Sequence, residues 1–147
     1  MIKKNINKIK IKKLNNDKIN LYKNIYGNDK YIPELKYKNF IYKNKKLYIN
    51  NEYFSSNKGF IIFYVPWCSH CVKISQLFID LAYSNINLFN IGSVNCENIE
   101  EGNDKLAIYG NIKYFPTLKI IDSDGELKDY PYEYNADNLI YYINTNI

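Results

Sequence analysis

An apolar run at residues 59–65 constrains the fold of this chain more than any other feature. Its sequence is Gly-Phe-Ile-Ile-Phe-Tyr-Val, without a charged residue and rich in β-branched and aromatic side chains. A run of this length is too short to span a membrane, and it is typical of a strand that is buried on both faces of a sheet. It leads almost directly into a pair of cysteines, Cys68 and Cys71.

The residues that follow the cysteine pair predict an amphipathic helix. Apolar side chains recur there at intervals of three and four residues, with Lys73, Gln76 and Asp80 between them. The apolar positions are Val72, Ile74, Leu77, Phe78, Leu81 and Ala82. The cysteines therefore lie where a buried strand gives way to a helix. At a helix start, unpaired backbone N–H groups and the positive end of the dipole favour a thiolate over a thiol, and Cys68 occupies this position.

The rest of the chain predicts further strands and helices in alternation. Three strands and a closing helix are predicted at residues 86–94, 117–121, 127–132 and 135–143, with a hairpin turn at 122–125. A helix that carries Leu106 and Tyr109 is predicted to end at Gly110. Residues 47–49 are a candidate short strand, and residues 50–57 a candidate short helix or turn. No internal repeat is visible.

Residues 63–71 read Phe-Tyr-Val-Pro-Trp-Cys-Ser-His-Cys, which resembles the active domains of protein disulfide isomerases in the thioredoxin superfamily. Val-Asn-Cys at 94–96 is similar to the end of the next strand of that family. Tyr-Phe-Pro-Thr-Leu at 114–118 is similar to its cis-proline segment. The resemblance covers the chain from about residue 32 to its end. It implies an α/β thioredoxin fold, in which helices flank a central mixed β-sheet, and a cis peptide bond before Pro116.

By this resemblance, the chain exchanges thiols and disulfides at Cys68 and Cys71. Cys68 is expected to be the nucleophile, and Cys71 is expected to resolve the mixed disulfide. His70 is expected to stabilise the Cys68 thiolate, which raises the reduction potential of the pair. The resemblance therefore favours oxidase or isomerase work over reduction.

The resemblance also implies a substrate groove bordered by Trp67, Phe115 and Pro116. The main chain of Phe115 is expected to pair with an extended peptide as an added strand. The expected partners are protein thiols and disulfides, together with an upstream sulfhydryl oxidase or reductase that resets the pair. We expect no organic cofactor and no nucleic acid.

Three features depart from the family pattern. Ile62 stands where an acidic residue is usually buried beneath the cysteines, and Gln76 stands where a proline usually kinks the helix. The chain has no arginine that could approach the cysteines. These departures remove the usual proton acceptor for Cys71 and predict slow turnover.

The residues alone leave alternative interpretations open. The cysteine pair could form a structural disulfide or half of a zinc site, although a zinc site needs four ligands. Cys96 could be a third redox centre, but a buried, inert thiol is favoured for this residue type. The chain could also be a redox-inert module that holds extended peptides at Trp67 and Pro116. Cycling of the pair between disulfide and dithiol near the potential of glutathione would separate these interpretations.

Charge divides the chain into a basic arm and an acidic body. Residues 1–48 carry 14 lysines and three acidic residues, a net charge of +11, whereas residues 49–147 carry six lysines and 12 acidic residues, a net charge of −6. We expect a basic N-terminal arm at residues 1–28, solvated or marginally helical, and a thioredoxin-like domain at residues 29–147. A basic arm can attract nucleic acid or an anionic membrane, but this lysine-interleaved composition favours a solvated tail.

The sequence predicts an intracellular, cytoplasmic protein. Residues 1–20 alternate isoleucine with lysine and asparagine and lack the apolar core of a secretory signal. The last residues are not a retention signal of the endoplasmic reticulum, and no segment is apolar enough to cross a bilayer. The abundance of Asn, Ile, Lys and Tyr suggests an AT-rich genome, and a virion is the expected location if the source is a large DNA virus.

Overall fold

The computed structural model of the chain describes residues 24–26, 31–50, 54, 58–84 and 89–146. Within these residues the chain forms strands, α-helices and short 3₁₀ turns. The strands are β1 (Phe40–Lys43), β2 (Lys46–Ile49), β3 (Gly59–Tyr64), β4 (Asn90–Asn95), β5 (Thr117–Ile121) and β6 (Leu127–Asp129). The helices are α1 (Ser69–Ser84), α2 (Asn103–Tyr109) and α3 (Ala136–Asn146), and the 3₁₀ turns are Tyr37–Asn39 and Ile99–Glu101.

Strand β3 lies inside a four-stranded sheet with the order β4-β3-β5-β6. Strand β4 runs parallel to β3, whereas β5 pairs with β3, and β6 with β5, in the antiparallel direction. All residues of β3 are buried, as the continuous apolar run predicts for a strand covered on both faces. The predicted architecture, a mixed sheet flanked by helices, is confirmed.

Successive side chains of β3 enter two separate hydrophobic clusters, because neighbouring residues of a strand point to opposite faces. Phe60, Ile62 and Tyr64 enter the first cluster, to which α1 and α3 also contribute. Ile61 and Phe63 enter the second cluster, with side chains of β1, β2 and α2. The helix that follows the cysteines thus covers the first face, and Tyr64 is the last β3 residue on that face.

Both edges of the four-stranded sheet meet other main-chain segments. At β4, the Ser93 N–H donates to the Pro33 carbonyl at 3.0 Å, and the Leu35 N–H donates to the Ser93 carbonyl at 2.7 Å. Beside β6, the Ile49 N–H of the β1–β2 hairpin donates to the Gly125 carbonyl at 2.9 Å. These hydrogen bonds hold the hairpin and the segment before it against the sheet.

The observed bounds of several elements differ from the predicted ones. Strand β4 begins at Asn90 rather than at residue 86, and residues 85–88 lie outside the described part of the chain. Strand β6 ends at Asp129, two residues before Pro131, which has no N–H to donate to a ladder. The short strand predicted at 47–49 is part of β2. Most of the segment predicted as a short helix or turn, at 50–57, is not described.

Helix α2 ends at Tyr109, beside Gly110 as predicted, but for a different reason. Gly110 keeps a right-handed conformation, and the left-handed one is taken by Asn111, with φ at 56°. A Cβ on Gly110 would come within 2.9 Å of the Leu106 carbonyl oxygen. The glycine is therefore required by space rather than by its backbone angles.

Most of the predicted basic arm, residues 1–23 and 27–28, lies outside the described residues, so the division at residue 28 stays a prediction. Tyr26, which falls inside that predicted arm, is buried in the first cluster. Its ring meets the ring of Tyr64 edge to face, with centroids 5.3 Å apart. Among the helices of the described ranges, none combines the length and the apolarity that crossing a membrane requires.

Candidate active site

The cysteine pair lies at the junction of β3 and α1, as the sequence predicts. Strand β3 ends at Tyr64, and the Cys68 N–H donates to the Val65 carbonyl at 3.2 Å, which closes a tight turn. The Cys68 carbonyl then accepts from the Val72 N–H at 3.1 Å, as the N-cap residue of a helix does. The turn therefore places the Cys68 side chain at the end of the helix where backbone N–H groups are unpaired.

The two thiols of the pair differ in their surroundings. Cys68 is half-buried, whereas Cys71 is fully buried, and both are free thiols. The Cys68 Sγ accepts a hydrogen bond from the Cys71 N–H at 3.2 Å. The S–H of Cys68 donates to the Phe115 carbonyl at 3.7 Å. Cys68 is thus the thiol that an incoming disulfide can reach, and Cys71 lies behind it.

Burial raises the pKa of the Cys71 thiol to about 12, and the hydrogen bond with Cys68 adds to this increase. Contact with the Val65 main chain lowers the pKa of Cys71 slightly and does not offset the burial. Cys71 therefore holds its proton at neutral pH. It needs a proton acceptor before it can act as a nucleophile.

The segment predicted to contain a cis proline faces the cysteines. The peptide bond between Phe115 and Pro116 is cis, as the resemblance implies. Pro116 is buried, and Phe115 is partly buried and packs against both hydrophobic clusters. The Thr117 hydroxyl donates to the Tyr114 carbonyl at 2.6 Å and closes the turn before β5. This turn holds the Phe115 carbonyl against Cys68.

The remaining predicted site residues lie on the surface beside Cys68. Trp67 is 65% exposed, and its indole N–H donates to the Glu97 carboxylate at 2.9 Å. His70 is exposed in the first turn of α1. His70 and Tyr114 line an open depression of about 530 Å³. The structure thus brings all six predicted residues to one end of the sheet: Trp67, Cys68, His70, Cys71, Phe115 and Pro116.

Sequence reasoning missed Glu97 and the tyrosines beneath the pair. Glu97 follows the end of β4, and the end of a strand parallel to β3 lies at the same sheet edge as the cysteines, so topology could have indicated it. Ile62 is buried, and Tyr26 and Tyr64 lie in its hydrophobic cluster. No sequence pattern indicated that Tyr26 is buried, because it lies among lysines and asparagines.

The third cysteine is apart from the pair in the core. Cys96 is buried in the second cluster, and burial raises its pKa above the usual range, with a further contribution from the Glu97 carboxylate. In the described ranges, the potential metal ligands that come within 4.8 Å of one another are Asp122, Asp124 and Glu126, in the β5–β6 turn. Lys128 neutralises Asp122 there at 3.0 Å. This turn is an acidic cluster with its own lysine partner, and it is separate from the cysteines.

A sequence model of the family described as thioredoxin matches residues 43–145. The chain belongs to the thioredoxin family. It is 36% identical over 94 residues to protein disulfide-isomerase 1 of Dictyostelium discoideum, and the match covers 62% of this chain and 25% of that protein. It is 33% identical over 97 residues to protein disulfide-isomerase MPD1 of Saccharomyces cerevisiae, with 66% and 27% covered. The chain spans about a quarter of the length of these relatives.

Solved structures of thioredoxin-family domains share this architecture. The crystal structure of the J-Trx1 fragment of ERdj5 superposes with a TM-score of 0.54 at 26% identity, over 65% of this chain and 46% of that one. Form II of ERdj5 gives a TM-score of 0.64 at 22% identity, over 84% of this chain and 15% of that one. The second likeness concerns the fold alone.

Proposed function

We propose that this chain is a thiol–disulfide oxidoreductase that acts on protein substrates through Cys68 and Cys71. The observation that carries this proposal is the hydrogen bond from the Cys71 N–H to the Cys68 sulfur at 3.2 Å, at the start of a helix. A sulfur in this position is stabilised as a thiolate by the N–H group and the helix dipole. Relatives named protein disulfide-isomerase support the same activity.

In the proposed reaction, the Cys68 thiolate attacks one sulfur of a substrate disulfide. The first substrate sulfur leaves as a thiolate and takes a proton, and a mixed disulfide forms at Cys68. Cys71 then loses its proton and attacks the Cys68 sulfur, which releases the second substrate thiol and leaves a Cys68–Cys71 disulfide. The substrate disulfide is reduced to two thiols while the pair is oxidised. The reverse sequence forms a disulfide in a substrate dithiol.

The proposed substrate is an extended protein segment that lies between Trp67 and Pro116. Exposed aromatic side chains beside a reactive group are typical of a surface that contacts other proteins, and Trp67 and Tyr114 are 65% and 68% exposed. The main chain of Phe115 meets Cys68 directly, so a substrate strand that pairs there would present its sulfur to the thiolate.

We further propose that the pair works as an oxidase or isomerase, because His70 is available beside Cys68 to stabilise the thiolate and hence the dithiol form. A sulfhydryl oxidase or a reductase is proposed to reset the pair.

An intracellular, cytoplasmic site of action is proposed from the sequence, and fractionation of cells that produce the chain would test it.

Equilibration with mixtures of reduced and oxidised glutathione tests the function. We expect the pair to interconvert between dithiol and disulfide within the range that glutathione buffers. Cys68→Ser should abolish disulfide reduction in insulin, and Cys71→Ser should accumulate mixed disulfides with substrates. A pair that never forms a disulfide would leave the chain as a peptide-binding module. Full multiple-turnover activity in Cys71→Ser would refute the assigned roles.

A further inference from the structure

Three depressions adjoin one another on the surface between the cysteine pair and the β1–β2 hairpin. The first is the depression of about 530 Å³ that His70 borders, and the second and third measure about 210 and 320 Å³. They follow β6 and the residues after it, from Leu127 in the third depression to Tyr134 in the first. Neighbouring depressions share lining residues, which are Tyr114, Tyr130 and Tyr134, then Asn111, Lys119 and Asp129. Together they form one row that begins beside the proposed active site.

The first depression of the row is aromatic. Tyr114 and Tyr132 on its border are 68% and 57% exposed. The buried ring of Tyr130 meets the ring of Tyr132 edge to face, with centroids 5.6 Å apart. The Tyr134 hydroxyl accepts a hydrogen bond from the Leu118 N–H at 2.8 Å, which fixes its ring. Because aromatic rings pair favourably with other rings, this depression favours an aromatic side chain over an aliphatic one.

The second and third depressions are basic. Five lysines line them, against the two acidic residues Glu126 and Asp129. The lysines are Lys45, Lys46, Lys113, Lys119 and Lys128. Three of them belong to the six lysines of residues 49–147, a part of the chain with a net charge of −6. The row therefore concentrates positive charge on an otherwise acidic body.

This positive charge is only partly neutralised. Lys119 is buried and pairs with the exposed carboxylate of Asp129 where the second and third depressions meet. Lys45 and Lys113 are exposed, and neither has an acidic partner at ion-pair distance among the described residues. The first depression differs, because Glu133 lies on its border. An acidic side chain is thus attracted to the second and third depressions and repelled from the first.

We propose that the row binds an extended segment of the substrate protein, with an aromatic side chain in the first depression and acidic side chains in the other two. This proposal rests on the oxidoreductase function proposed above and names the class of substrate. Tyr114 precedes Phe115, whose carbonyl meets Cys68, so a segment that reacts at Cys68 reaches the first depression next. The lysines of the row disfavour the chain's own lysine-rich N-terminal sequence as the occupant.

The row also sets a spacing within the substrate segment. Tyr132 borders the first depression and Lys128 the third, and they are four positions apart in the chain. An extended segment that lies alongside these residues advances by a similar distance per residue. Its acidic residues should therefore lie roughly four positions from its aromatic residue.

The test measures how fast short peptides oxidise the cysteine pair of the full chain. Each peptide carries a single cysteine that is joined to glutathione by a disulfide, and the chain is supplied with its pair reduced. The reaction releases the peptide thiol and glutathione while Cys68 and Cys71 form a disulfide. Stopped-flow fluorescence of Trp67, the only tryptophan, gives the second-order rate constant.

The peptides vary the two proposed features separately. One series places a phenylalanine close after the cysteine and two glutamates roughly four positions further on, and a second series has the reverse order. In one of the two series, leucine in place of phenylalanine should lower the rate constant about fivefold. Glutamine in place of the glutamates should lower it about threefold, and roughly 1 M salt should remove this second effect alone. Glutamates moved next to the phenylalanine should give no gain.

Variants of the chain locate these preferences. Tyr132→Ala should remove the preference for phenylalanine, and Lys45→Gln combined with Lys113→Gln should remove the preference for glutamate. Tyr141→Ala is the matched aromatic control, because Tyr141 is 71% exposed on α3 and does not line the row. Lys73→Gln is the matched lysine control, on the exposed side of α1. Both controls should keep both preferences.

The outcomes separate this inference from the proposed function. Equal rate constants for all peptides of both series would overturn this inference and leave the oxidoreductase function standing. If no peptide produced a Cys68–Cys71 disulfide, the oxidoreductase function and this inference would both be overturned. Preferences that persist in the Tyr132 and lysine variants would place the substrate elsewhere and overturn the inference. Preferences that weaken as the chain concentration rises would show that a second copy occupies the row, which would overturn it too.

Discussion

The exposed indole of Trp67 is tied to the carboxylate of Glu97 by a hydrogen bond of 2.9 Å that joins residues 30 positions apart in the chain. Glu97 is itself held at the end of β4, because its N–H donates to the Asn95 side-chain oxygen at 3.0 Å. The ring beside the Cys68 sulfur is therefore fixed from the neighbouring strand.

Glu97→Ala should release the Trp67 ring without unfolding the domain. We expect KM for a protein disulfide to rise roughly threefold, as loss of one charged hydrogen bond at an exposed site allows. Oxidation by glutathione disulfide, which is too small to span the groove, should be nearly unchanged. Glu97→Gln is the control, because its amide oxygen still accepts from the indole. Equal fluorescence anisotropy of Trp67 in both variants and the wild type would contradict the prediction.

The stability of the reduced protein should fall at alkaline pH because of Cys71. Its pKa is raised to about 12 by burial, whereas an ordinary thiol has a pKa of about 8.5, so the folded state holds this proton more tightly. The resulting stability is fully present below about pH 8.5 and is lost as the pH rises towards 12, at about 1.4 kcal/mol per pH unit.

Urea unfolding between pH 8 and 10 measures this slope, and Cys71→Ala is the control. The variant retains Cys96 and the tyrosines, whose pKa values are raised chiefly by burial in both proteins, so its slope should be smaller. Identical slopes would mean that the Cys71 thiol titrates alike in the folded and unfolded chains.

His70→Pro should make the cysteine pair more reducing. Whatever stabilises the Cys68 thiolate stabilises the dithiol, and removal of the imidazole withdraws that stabilisation. A proline is tolerated in the first turn of α1. We expect the glutathione equilibrium to shift towards the disulfide about tenfold, or roughly 30 mV. Lys73→Gln, which removes an exposed charge two residues beyond Cys71, should shift it much less. An unchanged or raised reduction potential in His70→Pro would show that the histidine does not stabilise the Cys68 thiolate.

Truncation of the basic arm should give different results on the two sides of Tyr26. Deletion of residues 1–23 should leave the thermal midpoint nearly unchanged, because this lysine-rich sequence offers little apolar surface to bury. Deletion of residues 1–28 also removes Tyr26 from the core and should reduce the free energy of unfolding by about 3–5 kcal/mol. Tyr26→Ala in the full chain should reproduce most of that loss. Equal midpoints for the two truncated chains would show that Tyr26 adds nothing to the core.

Two glycines of the paired strands β3 and β4 should differ in their tolerance of a methyl group. A Cβ on Gly59 would lie 2.5 Å from the main-chain oxygen of Asn90, whereas a Cβ on Gly92 would meet the side-chain ends of Leu35 and Phe54 at 2.7 and 3.0 Å. A backbone atom in a paired strand cannot move away, so Gly59→Ala should destabilise the fold by about 1–3 kcal/mol. Gly92→Ala should cost less, and chemical denaturation would rank them. The reverse order would show that the strand pair yields more easily than the side chains.

Sequence patterns predicted the parts of the molecule that depend on local order. The run at 59–65 and the spacing after Cys71 specify a strand and a helix whatever lies around them, and the motif specifies the positions of Cys68 and Pro116. The contact of Trp67 with Glu97 arises only when two parallel strands end at the same edge. Such contacts depend on the assembled fold and leave no periodic signal.

The contact between Tyr26 and Tyr64 likewise could not be predicted from the sequence. Tyr64 was part of the predicted strand, but its ring contact with Tyr26 could not be predicted, because Tyr26 comes from a segment with no apolar pattern. A buried aromatic residue among lysines cannot be told from an exposed one by composition. The absence of an acid at Ile62 was visible in the sequence, and the packing of Tyr26 in the same hydrophobic cluster was not.

The hydrogen bonds from Ser93, Leu35 and Ile49 bear on how the chain behaves at high concentration. Proteins that handle unfolded clients meet segments that add readily to any unpaired strand. Here the main chain of residues 33–35 lies along β4, and the hairpin lies beside the three-residue β6, so neither border of the sheet offers a long template for cross-β growth. In the proposed reaction, a client segment meets the Phe115 turn instead, where contact leads to sulfur exchange rather than to co-aggregation.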